Sequence, residues 1–139
     1  MPMKIQFLLS LAVLTVISTS GYADGPETTL GNLMKQMSSS MTFVSKNLET
    51  AGQKQNNLDQ LKRVKTAVTD SRIEIPALTN NEPDKIAEYK GLIDKLLAQV
   101  DALEAAVTQD EIGQARTILK AIDASRKTGH TKFKPPQKS

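Results

Sequence analysis

The sequence predicts an all-α fold, an antiparallel up-down-up-down four-helix bundle, on three observations. Beyond residue 23, apolar side chains recur at steps of three and four rather than two, the spacing of a helix face. Four such stretches follow one another across short linkers, which makes successive helices antiparallel neighbours. The chain has 139 residues, no tryptophan and no cysteine. That length allows one small domain, held by its core or a ligand and not by disulfides.

The opening "MPMKIQFLLSLAVLTVISTSGYA" stands apart from the rest. Lys4 precedes an apolar run from Phe7 to Ile17, and small residues follow at Gly21 and Ala23. This is the pattern of a secretory signal, residues 1–23, cut after Ala23. Its apolar core of about 11 residues falls well short of the roughly 20 that cross a bilayer. The mature chain is therefore expected to be exported and to carry no membrane span. Its domain is expected over residues 24–134, with a basic tail at 135–139.

The first helix has the clearest stripe: Leu30, Met34, Met37, Met41, Val44 and Leu48 all face one way. Asp24 with Glu27 offers an N-cap, and Gly52 a stop. In the second helix Leu58, Leu61, Val64 and Val68 share a face, and Pro76 in "EIPAL" is expected to end it. After the linker "ALTNNEP", Asn80 or Asn81 is expected to cap the third helix, with Pro83 in its first turn. Its stripe runs through Ile86, Tyr89, Ile93, Leu96, Val100, Leu103 and Val107. The fourth helix is expected to open on "TQDE", with Thr108 and Glu111 as a capping box, and to continue through Ile112, Ala115, Leu119 and Ile122. The same steps reach Arg126 and His130. Gly129 leaves two continuations open: a C-cap that ends the helix at Thr128, or a helix that runs on until Pro135 and Pro136 break it.

Charge and composition exclude several functions. Losing the leader removes Lys4 and no acid, leaving 17 bases against 15 acids. That balance lacks the basic excess of a nucleic-acid binder. The run "LKRVK", with Lys62, Arg63 and Lys65, reads as a solvated helix face, with partner docking as its alternative. Asp94 and Asp101 read as surface charges. With one histidine and no cysteine there is no nucleophile triad, no Cys-based zinc site and no covalent haem attachment through cysteine. An enzyme is not expected.

In an up-down-up-down bundle the start of the first helix and the end of the fourth lie at the same end, so Met34 and His130 share an end. A thioether sulfur and an imidazole nitrogen together form an axial ligand pair for haem iron. Each residue alone has a plainer reading: methionine as core filler, a lone histidine as surface.

At this point the chain resembles the cytochrome b562 family of periplasmic haem-binding bundles. "LGNLMKQMSSSMTFV" is similar to that family's first helix, "IAEYKGLIDKLLAQVDAL" to its third and "SRKTGHTKFK" to its closing stretch. The resemblance implies Met34 and His130 as the iron ligands. It places Tyr89 and Ile93 on the haem face of the third helix, with Ile93 standing where the family has phenylalanine. Phe133 falls on an aromatic site, Arg126 and Lys134 lie one turn either side of the histidine near the haem edge, and Gly129 replaces an aromatic. Tyr89, Ile93, Met37 and Leu33 are then the low-dielectric wall. The resemblance implies a periplasmic single-electron carrier, not an enzyme, that binds one haem b per chain non-covalently, as a monomer, and exchanges electrons with periplasmic redox partner proteins. The competing expectation is a haem-free bundle that binds hydrophobic ligands or unfolded chains.

Overall fold

The computed structural model describes residues 29–133, which form four α-helices and one 3-10 turn: α1 Thr29–Asn47, α2 Lys54–Ser71, the turn Ala77–Thr79, α3 Pro83–Thr108 and α4 Ile112–Phe133. The leader, the Asp24 and Glu27 cap, Lys134 and the tail lie outside the described residues. Contacts between successive helices run in opposite senses. Ser40 of α1 donates to Gln60 of α2 at 2.8 Å, while Asn57 near the start of α2 donates to the Asn47 carbonyl that ends α1 at 3.0 Å. Lys65 meets Asp101 and Glu104 of α3, and Arg72, just past the end of α2, forks onto Asp94. Lys132 at the end of α4 pairs with Glu88 near the start of α3.

The core follows the stripes. Val44, Leu61, Val64, Val68, Val100, Leu103 and Ala115 are essentially inaccessible. Burying a side chain such as Leu61 or Leu103 stabilises the fold by about 1.5 to 3 kcal/mol. Lys65 is more than a solvated charge: the hydrogen bonds it donates to Glu104 and then Asp101 hold its ammonium above the usual lysine range. Arg72 likewise lowers the Asp94 carboxyl through its hydrogen bonds. Both pairs are exposed enough to orient the α2 and α3 seam more than to stabilise it.

Four boundaries differ from expectation. Helix α1 ends at Asn47, short of Gly52, which stands in the loop before α2 at φ 79°. Helix α2 ends at Ser71, before Pro76, because the Ser71 hydroxyl donates back to the Val68 carbonyl and the next amides, from Arg72 to Glu74, turn onto carbonyls three residues back. Pro76 instead leads the 3-10 turn from an extended conformation. Neither asparagine caps α3, whose N-cap is Glu82 with no side-chain bond. Asn80 and Asn81 supply left-handed backbone, at φ 51° and 60°, a conformation asparagine tolerates better than most residues. There is no Thr108 and Glu111 capping box. Thr108 is the last residue of α3, and its hydroxyl donates to the Glu104 carbonyl. The amide of Glu111 bonds Ala106 and that of Asp110 bonds Val107 around a left-handed Asp110 at φ 59°, which is a Schellman closure.

Gly129 does not end α4. The helix continues to Phe133, and a Cβ built on Gly129 meets nothing within 4 Å. Gly129→Ala is therefore expected to stabilise the protein by about 1 kcal/mol, the helix penalty of glycine, read as a higher midpoint in urea at unchanged slope. A lower midpoint would contradict a helical Gly129.

Candidate functional site

The two ends of the bundle are built differently. At one end Glu49, just past α1, accepts from Arg116 of α4 at 2.5 and 2.8 Å, and Lys54 of α2 meets Asp110 of the last turn at 3.1 Å. Val44, Leu48, Leu103, Val107 and Ala115 fill the interior there. Towards the other end several residues on or beside the stripes are only half-buried: Met34 on α1, Leu92 and Leu96 on α3, and Leu119 and His130 on α4. Close backbone packing joins α1 to α2, α2 to α3 and α3 to α4, but α1 and α4 are not among the closely packed pairs.

A cavity of about 820 Å³ lies along this looser seam. Met34 lines it from α1 and His130 from α4. Tyr89 and Ile93 of α3, with Arg126 and Phe133 of α4, line it too. Six of the seven expected site residues therefore share one cavity, and the seventh, Lys134, lies outside the described residues. The volume falls within the roughly 300 to 1,000 Å³ of small-molecule and cofactor sites.

The aromatic wall is fixed in place. Tyr89 is buried, its ring meets Phe133 edge to face with centroids 5.5 Å apart, and its hydroxyl donates to the Ser71 carbonyl at 2.5 Å. That carbonyl belongs to the last turn of α2, so the contact also satisfies a helix-end acceptor. Burial pushes the Tyr89 hydroxyl above its ordinary value; the bond to Ser71 opposes this, and the Glu74 charge adds to it. The phenol stays neutral at neutral pH.

Sequence reasoning placed Leu33 in the wall, but it is absent from the cavity lining and packs against the core instead. Leu92, Leu96 and Pro76 form wall in its place. Leu96 lay on the third helix's stripe, whereas Leu92 sits beside it and Pro76 reaches the site through the fold of its loop. Asp123 was also missed. It lines the cavity and accepts from Arg126 at 2.9 and 3.2 Å. Hydrogen bonds from Arg126, then Lys127, hold its carboxyl below the usual range. The spacing from Asp123 to Arg126 and Lys127, three and four residues, was the available signal.

A second depression of about 480 Å³, between α1 and α2, is lined mainly by polar residues including Ser39, Gln60 and Arg63. It holds neither the histidine nor any methionine. Among the described residues no three His, Cys, Asp or Glu side chains are grouped to hold a metal. None of the described helices is long and apolar enough to cross a membrane.

The family model described as cytochrome b562 matches residues 29–134, most of the chain. The chain belongs to the cytochrome b562 family. This is a family of haem-binding electron-carrier cytochromes rather than enzymes. No individual curated protein matches the chain significantly.

Proposed function

We propose that this chain is a periplasmic b-type cytochrome that holds one haem non-covalently between Met34 and His130 and carries single electrons. The observation that carries the proposal is that Met34 of α1 and His130 of α4, helices that are not among the closely packed pairs, line one cavity with an apolar and aromatic wall. The donor set fits haem iron: a soft thioether and an imidazole, with Tyr89, Ile93, Leu96 and Phe133 as low-dielectric lining. The chain has no cysteine for a thioether link to the macrocycle, so attachment is by ligation and burial.

Haem supplies the one-electron iron couple when bound. Met34 and His130 would hold the iron as two protein ligands, and with both in place the chain's own side chains would exclude oxygen and substrate from it. A methionine ligand favours the reduced state relative to a second histidine. Arg126 stands at the cavity with a cationic fork suited to a carboxylate. Asp123 accepts from that fork, so a haem propionate would have to share or replace this partner. The apolar leader supports export, and the periplasmic redox partners are proteins.

Haemin titrated into apo-protein is expected to saturate at one per chain and to raise the unfolding midpoint. At free haemin one hundred times Kd the gain is about 2.7 kcal/mol, roughly 10 to 20 °C for a domain of this size. A folded protein whose spectrum and midpoint ignore haemin would contradict the proposal and favour a haem-free bundle. Acidified organic solvent is expected to extract all the pigment. Haem that stayed on the polypeptide through denaturing electrophoresis would rule out non-covalent attachment.

A further inference from the structure

The haem reading uses one methionine as an iron ligand, yet three line the cavity. Met34, Met37 and Met41 are all the methionines of the described residues, and His130 is the chain's only histidine. All four line the same cavity. We propose that the apo-protein has a second binding activity, for a soft monovalent cation such as Cu(I), through the thioethers of Met34 and Met37 and the imidazole of His130. The inference goes beyond haem binding and does not depend on it.

The chemistry follows from the donors. Thioether sulfur is a soft, uncharged ligand that selects Cu(I) over the hard divalent ions, and imidazole suits copper as well. Carboxylate sites for harder ions are absent as clusters among the described residues. Met34 and Met37 are three residues apart in α1, so they sit on adjacent turns with Cβ atoms about 5 to 6 Å apart and can converge on one ion. Their burial differs: Met37 is 7 % exposed, while Met34 is half-buried. His130 lines the cavity from α4 and brings the third donor. Neutral donors leave the site with the single charge of the ion, and the Asp123 carboxylate at the same wall is an available counter-charge once Arg126 is shared. Met41 lies seven residues from Met34, about 10 Å further along the helix, beyond the reach of the same trio.

Because Met34 and His130 would serve both ligands, Cu(I) and haem are mutually exclusive. The test is anaerobic titration of apo-protein with Cu(I) against a chromophoric Cu(I) chelator, with no haem present. Uptake is expected at one Cu(I) per chain. Met34→Leu, Met37→Leu and His130→Ala are each expected to weaken it by at least the roughly tenfold that loss of an outer-shell partner typically costs a metal site. Met41→Leu should not weaken it. The methionine-to-leucine changes conserve volume, and circular dichroism verifies that each variant remains helical. Ag(I), which has no redox chemistry here, should shift the side-chain methyl resonances of Met34 and Met37 but not of Met41. No chelator-resistant uptake, or an affinity unchanged by Met37→Leu, would overturn the inference. The haem reading can fail without affecting this titration, since Met37 is not an iron ligand in it and no haem is added.

Discussion

Replacing His130 by alanine is expected to abolish low-spin haem binding while leaving a helical apo bundle. The imidazole is half-buried at the looser end of α4, whereas the packed interior rests on Ala115, Ile122, Leu103 and Val100, none of which the substitution touches. Apo stability should therefore change little, and the whole loss should appear in the ligand term. Wild type gains about 2.7 kcal/mol at free haem one hundred times Kd, and the variant should gain none of it. Acid should imitate the substitution. Ligation needs a neutral ring nitrogen, so binding is present at higher pH and lost as falling pH lets protons compete for it. Titration of haem release followed in wild type, beside thermal melts of the variant with and without haemin, checks both statements. Wild-type affinity and spectrum in the alanine variant would return His130 to a surface role.

Met34→Ala is expected to remove the methionine-to-iron charge-transfer band of the ferric protein and to lower the reduction potential, because the thioether favours ferrous iron. The truncation also opens space, and since Met34 is only half-buried the apo cost should be roughly 1 to 2 kcal/mol, below the range for fully buried methionines. Met41→Leu, on the same stripe, should leave both band and potential in place. Loss of the band in Met37→Leu with its retention in Met34→Ala would move the ligand by one turn. Ferric absorption spectra and redox titration of the three variants separate these cases.

The parts of the fold that were legible in the sequence were those governed by long apolar periodicity. The stripe of α3 from Tyr89 to Val107 needed no tertiary information, because a run of that regularity can be buried only as a helix. The turns were less legible because several residue types meet the same local need. Thr108 with Glu111 matches a capping box, yet the apolar pull of Val107 keeps Thr108 in α3, and Asp110 takes the left-handed position that closes it. Asn80 and Asn81 marked the right place for a different reason, left-handed backbone in place of capping. Gly129 could not be resolved from sequence. Glycine ends helices and also sits within them, and the contact of Phe133 with Tyr89 one turn later favours the helical state.

The site was legible where it lay on stripes and illegible where loops or stripe edges form it. Met34, Tyr89, Ile93 and His130 each continue a helix face, so bundle topology alone brings them together. Pro76 reaches the cavity only because the 3-10 turn folds back against α4, a contact with no periodic signature. Leu33 and Leu92 both sit at stripe edges. Which of the two faces the cavity depends on the rotation of its helix, and only the packed structure fixes that rotation.

The most direct test of the central claim is a reduced-minus-oxidised absorption spectrum of the full chain, expressed with its leader in a haem-sufficient host and purified from the periplasm. Sharp low-spin b-type bands are expected, and they should disappear in both Met34→Ala and His130→Ala. A colourless, folded, helical protein that stays colourless with added haemin would contradict it.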